Sequence, residues 1–429
     1  MERLIVEGGQ PLQGEITPAG NKNSAQPMLA ACLLTEEPIT LHNLPNISDI
    51  RTLLDMLKGM GVEVDDSEFL SKRTVTLQAR KVDRQPDQSL GGRVRGSLLM
   101  AGPLLARTGH AVVGQPGGDA IGRRRIDTHL LALEALGAKV EVEGDQYVMH
   151  AERLRGADIF LDEASVTGTE QAILAAVLAD GESRICNAAS EPHVQDLCHM
   201  LNTLGAQITG IGSNTLFIQG VRSLRGGEHT IMSDHIEVGS FIGLAAVTGG
   251  ELRIRKAVPQ HMMMTRLIYK RLGVCLRVEG DDIIVPGGQD LRVAYDVHEA
   301  VPKIDDGIWP AFPTDLMSIA LVTATQSEGT VLIFEKMFES RLFFVDRLIS
   351  MGARIVLCDP HRAVVVGKVQ LRGEEISSPD IRAGMALLQA ALCAKGKSVI
   401  YNVRQIDRGY EAIESRLEGL GAKIRRVTE

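Results

Sequence analysis

Apolar and polar positions along the chain follow a pattern that returns six times. In each copy an amphipathic stretch ends in Leu or Met followed by Gly and then Ala or Val, and a short strand of alternating polarity comes next. The residue before the glycine is the last core contact of a helix, and the glycine supplies the positive φ of a C-terminal cap. The pattern predicts an internal repeat. Its glycines are Gly61, Gly137, Gly205, Gly273, Gly352 and Gly421.

Each copy also contains an earlier stretch that is apolar on every side, which is typical of a buried helix. A short strand rich in β-branched residues follows it. We therefore expect an α/β fold whose unit runs hairpin strand, buried helix, strand, amphipathic helix, strand, with sheets outside and buried helices inside. The predicted buried helices are residues 24–34, 96–107, 168–179, 238–247, 314–325 and 382–394.

The length of 429 residues exceeds what one hydrophobic core usually supports, so two lobes of three units are expected. A hairpin in residues 1–20 precedes the first unit, whereas no hairpin follows the sixth. The N-terminal strands should therefore complete the C-terminal lobe. The predicted N-terminal lobe is 21–232, and the C-terminal lobe is 1–20 with 233–429. A chain that crosses twice between lobes leaves a cleft that can hinge.

Composition narrows the possible partners. The net charge of −8 argues against nucleic acid as the main partner. No apolar run reaches the roughly 18 residues that a membrane span needs, and the start MERLIVEGGQ has no export signal, which predicts a cytoplasmic protein with no membrane partner. The six cysteines have no ligand spacing, which argues against disulfides and zinc. We predict no metal and no cofactor, and leave the oligomeric state open.

Several charged residues break the repeat and stand beside glycine or at predicted helix starts. Scaffold positions should recur in each unit, whereas positions of a binding site need not. These residues are therefore candidates for a binding site, and at helix starts backbone N–H groups can also face an anion. Surface salt bridging is the alternative interpretation. The residues are Lys22 with Asn23, Arg95, the loop from Gly114 to His129, Asp315, Arg341, Arg382 and Arg408.

Eight segments carry a resemblance to a known family, in colinear order over essentially the whole chain. They are GNKNSA, VRGSLLMAGPLLAR, PGGDAIGRRRIDTH, ASVTGTE, PAFPTD, MFESR, DIRAG and IDRGYE. Together they resemble the UDP-N-acetylglucosamine enolpyruvyl transferases of the EPSP synthase family, enzymes of peptidoglycan synthesis. The resemblance implies a two-lobed inside-out α/β barrel. It also implies enolpyruvyl transfer from phosphoenolpyruvate to the sugar 3-hydroxyl, with phosphate release through a tetrahedral ketal.

The resemblance also implies a phosphoenolpyruvate site rich in cations, as a substrate with a phosphate and a carboxylate requires. Arginine suits such groups because its planar fork binds oxyanions through two hydrogen bonds. Lys22, Arg95 and Arg124 would hold the phosphate side, and Arg382 and Arg408 the carboxylate. The full implied set is Lys22, Asn23, Arg95, Arg124, Arg341, Arg382 and Arg408.

Three residues are implied in catalysis: Lys22, Asp119 and Asp315. Asp315 is the candidate base for the sugar hydroxyl, and a helix N-cap is its alternative role. Asp119 stands in the glycine-rich loop where many relatives have cysteine, and we expect it to be the acid that protonates the enol. A carboxyl group with an ordinary pKa near 3.9 would need the bound anions to keep it protonated. The alternative role of Asp119 is that of a turn residue.

Two consequences follow for this loop. Fosfomycin inactivates the cysteine-bearing relatives by alkylating the thiol, so the chain should be insensitive to it. The four glycines of loop 114–125 predict a mobile segment that closes over the cleft after the sugar binds.

The implied site for the UDP-sugar contains two departures from the family. Glu163 stands where relatives often have lysine, and Arg125 replaces a common proline, so Arg125 would supply the missing positive charge. The implied residues are Asn23, Arg95, Arg124, Arg125, Ile126, Asp127, Thr128, Ser165, Val166, Thr167, Asp315 and the backbone at Met337.

Three other functions remain open from the residues. A transferase acting on shikimate 3-phosphate shares the fold and the phosphoenolpyruvate chemistry. RNA 3′-phosphate cyclases use related units, but the acidic balance speaks against them. A non-catalytic UDP-sugar-binding regulator is motivated by Glu163 and Asp119, although retention of Arg382 and Arg408 speaks against it.

Overall fold

The computed structural model describes residues 2–82 and 85–428. Within these ranges the strands form five four-stranded sheets and one three-stranded sheet. The chain divides into two compact units. The first unit comprises Gly20–Gly118 and Arg124–Met232, and the second comprises Met1–Ala19, Asp119–Arg123 and Ser233–Glu429.

The first unit contains three of the sheets. Their orders are β13-β3-β5-β4, β6-β8-β7 and β11-β12-β10-β9. The strands are β3 Ile39–His42, β4 Glu63–Asp65, β5 Val75–Gln78, β6 His110–Gly114, β7 Lys139–Glu143, β8 Gln146–His150, β9 Asp158–Phe160, β10 Glu182–Cys186, β11 Gln207–Thr209, β12 Thr215–Gln219 and β13 Gly227–Thr230.

The second unit contains the other three sheets. Their orders are β15-β16-β14-β2, β17-β18-β20-β19 and β21-β22-β1-β23. The strands are β1 Glu2–Glu7, β2 Gly14–Ile16, β14 Leu252–Ile254, β15 Arg277–Glu279, β16 Asp282–Val285, β17 Lys303–Asp305, β18 Gly329–Phe334, β19 Ile355–Asp359, β20 Arg362–Gly367, β21 Glu375–Ser377, β22 Lys397–Tyr401 and β23 Lys423–Thr428.

Helices alternate with these strands. In the first unit they are α1 Lys22–Ala31, α2 Ser48–Gly59, α3 Phe69–Lys72, α4 Gln88–Gly91, α5 Ala101–Thr108, α6 Asp127–Ala135, α7 Val166–Ala176 and α8 Pro192–Thr203. In the second unit they are α9 His235–Thr248, α10 Met263–Arg271, α11 Met317–Gln326, α12 Val345–Ser350, α13 Ile381–Cys393 and α14 Ile413–Glu418. Short 3₁₀ turns are Cys32–Leu34, Arg95–Met100, Pro259–Met262, Val297–Glu299, Thr314–Leu316, Arg341–Phe344 and Val403–Arg408. In the described part of the chain, no helix is long and apolar enough to cross a membrane.

The predicted sixfold repeat is confirmed by the sheets. Each four-stranded sheet has an antiparallel pair of strands at one edge, then the strand that follows a buried helix, then a strand parallel to it; the antiparallel pair is a hairpin except in the sheet where β1 pairs with β23. The three-stranded sheet has the first three of these among the described residues. All six repeat glycines have positive φ, between 85° and 104°, as predicted for C-terminal caps.

Apolar helices form the core of each unit. The helices α1, α5 and α7 supply most of the buried helical side chains in the first unit, and α9, α11 and α13 do so in the second. These six are the helices that the sequence predicts to be buried. The amphipathic helices bury one side only, as their polarity pattern indicates.

The N-terminal strands lie in sheets of the second unit. Strand β1 pairs with both β22 and β23, and β2 runs parallel to β14. This pairing is the one expected from the missing hairpin after the sixth unit. Residues 119–123 group with the second unit, whereas the sequence assigns the loop 114–125 to the N-terminal lobe. The predicted lobe limits and the hinge stay predictions.

Candidate active site

Lys22 occupies the first position of α1 in the first unit. The helix begins there because the side chain of Asn21 accepts hydrogen bonds from the backbone N–H groups of Asn23 and Ser24, at 2.8 and 3.1 Å. Lys22 is buried, and its Nζ lies 2.7 Å from Oδ2 of the buried Asp49. Asp49 therefore matches the charge of Lys22, a partner that the sequence did not suggest.

Arg95 and Arg124 bring two guanidinium groups close together in the same unit. Arg95 donates to the carbonyl oxygen of Arg124 at 3.4 Å and to that of Arg125 at 2.7 Å. Burial, followed by the charge of Arg124, lowers the pKa of Arg95 to about 10. An anion held between the two side chains would relieve this repulsion. Gly118 has a φ of +127°, and a Cβ there would lie 2.9 Å from Nη1 of Arg124, so this position requires glycine.

Arg125 pairs with two carboxylates near the start of α6. Its Nε donates to Oδ2 of Asp127 at 3.2 Å, and its Nη2 donates to Oδ2 of Asp162 at 3.0 Å. The hydroxyl of Thr128 donates to the other oxygen of Asp162 at 2.7 Å. The charge of Arg125 is thus already matched here, while Glu163 acts electrostatically on Arg95. Charge compensation of Glu163 by Arg125 stays a prediction.

The N-termini of α6 and α7 carry the other candidates for the UDP-sugar. Ser165 caps α7 by accepting from the N–H of Gly168 at 3.2 Å, so Val166 and Thr167 form the first turn. Ile126 stands at the N-cap position of α6 without a side-chain capping bond. Two helix N-termini give this region partial positive charge.

His129 joins these two helices. Its Nε2 lies 2.9 Å from the hydroxyl oxygen of Thr167. Burial, and then the charge of Arg95, lowers the pKa of His129 to about 3, so the ring is neutral near pH 7. The ring therefore serves as a hydrogen-bonding group and adds no charge at the start of α7.

In the second unit, Asp315 is held between two buried arginines. Its Oδ1 accepts from Nη2 of Arg341 at 3.0 Å, and its Oδ2 accepts from Nε and Nη2 of Arg382 at 3.0 and 2.9 Å. The interpretation of Asp315 as a helix cap is wrong. Pro313 and Leu316 hold the two N-cap positions, and neither cap has a side-chain hydrogen bond.

Both arginines keep donors that the described residues do not satisfy. Nη1 of Arg341 and Nη1 of Arg382 are buried without a hydrogen-bond partner in the described part of the chain. A buried donor without a partner costs roughly 1–3 kcal/mol, so a ligand with acceptor oxygens would stabilise this arrangement. Arg382 also lies 5.5 Å from the ring centroid of Tyr410, which restricts its guanidinium.

Asp119 and Arg408 form an ion pair in the second unit. Nη1 of Arg408 donates to Oδ1 of Asp119 at 2.7 Å and to Oε1 of Gln405 at 3.1 Å. Neighbouring loop residues are also held in this unit, since the N–H of Ser340 donates to the carbonyl oxygen of Ile121 at 3.0 Å. The side chain of Asp119 thus has a partner distant in sequence, which a turn residue does not need.

The N–H group of Met337 donates to Oε1 of Glu335 at 3.1 Å, and the contact of its backbone with the sugar stays a prediction. Glu335 and its neighbour Asp306 are buried acids that lie outside the sequence motifs. The sequence gives a signal only for Glu335, which directly follows the apolar strand β18, whereas Asp306 follows the charged strand β17. In the described ranges, no group of three His, Cys, Asp or Glu side chains is arranged to hold a metal ion.

Comparison with known proteins identifies the family. Residues 6–417 match the family described as EPSP synthase (3-phosphoshikimate 1-carboxyvinyltransferase). A UDP-N-acetylglucosamine 1-carboxyvinyltransferase of Bradyrhizobium diazoefficiens is 57% identical, over 100% of this chain and 98% of the relative. The enzyme of the same name from Borreliella burgdorferi is 53% identical, over 100% and 99%.

Solved structures agree on the fold. The enolpyruvyl transferase NikO from Streptomyces tendae superimposes with a TM-score of 0.87 at 24% identity, over 100% of this chain and 99% of that one. EPSP synthase from Acinetobacter baumannii does so with a TM-score of 0.76 at 18% identity, over 100% of both chains. The predicted enolpyruvyl transferase fold is thereby confirmed. The chain belongs to the EPSP synthase family of enolpyruvyl (carboxyvinyl) transferases.

Proposed function

We propose that this chain transfers the enolpyruvyl group of phosphoenolpyruvate to the 3-hydroxyl of UDP-N-acetylglucosamine and releases phosphate. The observation that carries the proposal is Asp315, a carboxylate held by two buried arginines that retain unsatisfied donors. The relatives at 57% and 53% identity, both named for this acceptor, support the choice of sugar. Such a reaction belongs to peptidoglycan synthesis, which favours a cytoplasmic location.

Asp315 acts as the general base in this proposal. Arg341 and Arg382 favour its ionised form and fix its two oxygens, so that a lone pair can accept the proton of the sugar hydroxyl. The hydroxyl oxygen then forms a bond to C2 of the enol while C3 accepts a proton. The resulting ketal loses a proton from C3, the double bond re-forms, and phosphate leaves with the electrons of the C–O bond.

Asp119 supplies the proton to C3, and Arg408 binds the substrate carboxylate. In the structure these two residues bind each other. A substrate carboxylate on Arg408 would replace Asp119 as its partner, and the negative charge of that substrate would then favour protonation of Asp119. Binding of phosphoenolpyruvate and preparation of the acid thus become one event.

The first unit supplies the phosphate and nucleotide contacts. Lys22, Arg95 and Arg124 are proposed for the phosphate, supported by the proximity of the last two guanidinium groups. The nucleotide would lie along the N-termini of α6 and α7, where backbone N–H groups favour a diphosphate. The proposed residues there are Asn23, Arg125, Ile126, Asp127, Thr128, Ser165, Val166 and Thr167.

Phosphate release with defined acceptors tests the proposal. We expect release that requires both phosphoenolpyruvate and UDP-N-acetylglucosamine, with no release when shikimate 3-phosphate is the acceptor. Asp315→Asn should lower kcat by about 10²–10⁴-fold, the range for loss of a general base. Asp290→Asn, which removes an exposed Asp–Arg pair, is the matched control and should retain activity.

Two outcomes would reject the proposed function. Release with shikimate 3-phosphate in place of the nucleotide sugar would assign a different acceptor. Tight binding of UDP-N-acetylglucosamine without any phosphate release would instead assign a regulatory protein that binds the sugar.

A further inference from the structure

Two buried carboxyl groups, Glu335 and Asp306, lie side by side in the second unit. Each is the first residue after a strand, Asp306 after β17 and Glu335 after β18. The strands are parallel neighbours in which Asp305 pairs with Phe334, so the two acids leave the sheet at the same edge. Glu335 is 0% exposed and Asp306 is 1% exposed. Buried acids of this kind need a specific explanation.

Glu335 contacts two neighbours of Asp315, Thr314 and Arg341. Its Oε1 accepts from the hydroxyl of Thr314 at 2.9 Å, and Thr314 directly precedes Asp315. Its Oε2 lies 3.7 Å from Nε of Arg341, whose Nη2 binds Asp315. Removing Glu335 would therefore loosen Thr314 and Arg341 beside Asp315, while Arg382 would still bind it.

The same carboxyl group organises the following turn. Oε1 accepts from the N–H groups of Met337 and Phe338, both at 3.1 Å. The backbone of Glu335 is held as well, because its carbonyl oxygen lies 2.7 Å from Nδ1 of His361. Glu335 thus connects the end of β18, the turn after it and the 3₁₀ turn that carries Asp315.

One oxygen of the pair lacks a donor. Oδ1 of Asp306 accepts from the N–H of Lys336 at 2.5 Å, whereas Oδ2 is buried without a partner in the described part of the chain. Both carboxyl groups accept from N–H groups of the same turn, Asp306 from that of Lys336 and Glu335 from those of Met337 and Phe338, so the two acids lie together. Two adjacent buried carboxylates cannot both be charged without large repulsion, and one shared proton would satisfy the unpartnered oxygen. Consistently, burial and then the contact with Asp306 raise the pKa of Glu335 to about 9.

We propose that Glu335 and Asp306 share one proton in the working enzyme, and that neutral Glu335 is a positioning residue for Asp315 through Thr314 and Arg341. The role of Asp315 as base rests on the proposed function, whereas the shared proton does not. A neutral Glu335 leaves Asp315 as the charged group that binds Arg341 at hydrogen-bond distance. Loss of the proton would add a second negative charge beside Arg341 and weaken its hold on Asp315.

Other charged groups lie near the buried pair, and the two lysines among them bind a different carboxylate. Lys303 and Lys336 direct their Nζ atoms to Asp305, at 3.0 and 2.6 Å, and so do not neutralise the buried pair. Asp380 acts electrostatically on Arg341. The titratable and charged groups that face the pair are Arg341, Asp315, Asp380, His361, Lys303, Asp305 and Lys336.

Glu335→Gln and Glu335→Ala distinguish a neutral positioning group from a charged one. The glutamine amide can donate to Asp306 and its oxygen can accept from Thr314, so kcat for phosphate release near pH 7 should stay within about threefold of the parent. Alanine removes every contact and should lower kcat about tenfold or more, with a smaller change in KM. The parent should lose kcat above about pH 9 as the proton leaves, and the glutamine variant should not.

Stability provides a readout that does not depend on catalysis. Between the ordinary glutamate pKa near 4.5 and about 9, the folded parent holds a proton that the unfolded chain lacks. The free energy of unfolding should therefore fall as pH rises through this window, and Glu335→Gln should remove that part of the fall. Glu414→Gln is the matched control: although burial acts to raise the pKa of Glu414, its hydrogen bonds from Arg426 lower it, so the variant should lose stability by the same amount throughout this window.

The outcomes separate the two proposals. If the free energy of unfolding has the same pH dependence in the parent and in Glu335→Gln, the shared proton is rejected. If the glutamine and alanine variants lose kcat equally, the role of neutral Glu335 in positioning Asp315 is rejected. A parent without phosphate release from UDP-N-acetylglucosamine would reject the proposed function and the positioning role, while the stability slopes would still decide the shared proton.

Discussion

Asp119 stands in the glycine-rich loop, at the position where the family resemblance implies a cysteine, and its carboxylate lies 2.7 Å from Nη1 of Arg408. A thiol and a carboxyl group differ in their protonation at neutral pH, because their ordinary pKa values lie on opposite sides of pH 7. The thiol is largely protonated at neutral pH, whereas the carboxyl group must gain its proton from its surroundings. Asp119 pairs with Arg408, the arginine proposed to bind the substrate. When the substrate carboxylate binds Arg408, Asp119 would lose its cationic partner, and its protonated form would be favoured.

Asp119→Asn tests this route. The amide keeps the size of the side chain but cannot donate a proton to carbon, so kcat should fall by about 10²–10⁴-fold. Binding of UDP-N-acetylglucosamine, measured by calorimetry, should change little. Asp119→Glu, which retains an acid, is the control and should keep more activity than the asparagine variant. Near-normal turnover of Asp119→Asn would exclude the acid role.

Resistance to fosfomycin follows from the same residue. A carboxylate at position 119 offers no thiol for the epoxide to alkylate, so preincubation should leave phosphate release unchanged. Asp119→Cys should become sensitive with time and gain the mass of one inhibitor. Time-dependent inactivation of the parent chain, with the adduct on Asp119, would contradict this prediction.

At the residue scale, the sequence identified charged groups but not their partners. Lys22 and Asp315 were selected from motifs, whereas Asp49 and Glu335, which contact or support them, were not. Asp49 lies 27 residues after Lys22, and Glu335 lies 20 residues after Asp315. No local sequence spacing therefore connects these partners. The cap interpretation of Asp315 is wrong for a related reason: two arginines distant in sequence bind the carboxylate, and Pro313 and Leu316 hold the N-cap positions.

At the scale of elements, the sequence was most informative where the controlling interactions are local. Each repeat glycine adopts the positive φ that ends its helix, and the buried helices fall close to their predicted ranges. Two of those helices begin as 3₁₀ turns, Arg95–Met100 and Thr314–Leu316. Apolar residues cover all sides of both segments. Their polarity pattern therefore has no periodicity that distinguishes a 3₁₀ turn from an α-helix.

Gly205→Ala isolates the contribution of backbone conformation. Gly205 has a φ of +104°, and a Cβ there meets nothing within 4 Å, so the cost arises from the dihedral angle alone. The free energy of unfolding should fall by roughly 1–2 kcal/mol, measured by urea denaturation. Gly59→Ala is the control, since Gly59 ends α2 with equally open space, and alanine there should be neutral or slightly stabilising. Equal effects of the two changes would refute a conformational role for Gly205.

At the scale of the whole molecule, the number of predicted strands indicated where the N-terminal strands belong. The sixth unit lacks a following hairpin, so the first strands of the chain were expected to complete its lobe. Strand β1 occupies an inner position between β22 and β23, so the first and last strands are neighbours in one sheet. Pairing across such a distance in sequence was inferred from the missing hairpin, with no local signal. The grouping of residues 119–123 with the second unit had no corresponding signal, because a glycine-rich loop has no polarity pattern.

A circular permutant tests the use of the chain ends. Glu2 pairs with Thr428 across antiparallel strands, whose Cα atoms are typically about 4.5–5.5 Å apart, so a short glycine-serine linker can join the ends. New ends placed between Val297 and His298 fall in an exposed 3₁₀ turn. The permutant should unfold cooperatively with a Tm within a few degrees of the parent and release phosphate at a similar rate.

Deletion of residues 1–8 is the matched comparison for the permutant. It removes an inner strand together with Leu4 and Val6, both fully buried, and burial of each such side chain contributes about 1.5–3 kcal/mol. It also leaves β22 and β23 without their shared partner, which exposes two rows of backbone groups. The deletion should therefore abolish the cooperative transition seen by calorimetry. If the shortened chain instead melts like the parent while the permutant fails to fold, β1 is dispensable and the continuity of residues 290–305 is what the second unit requires.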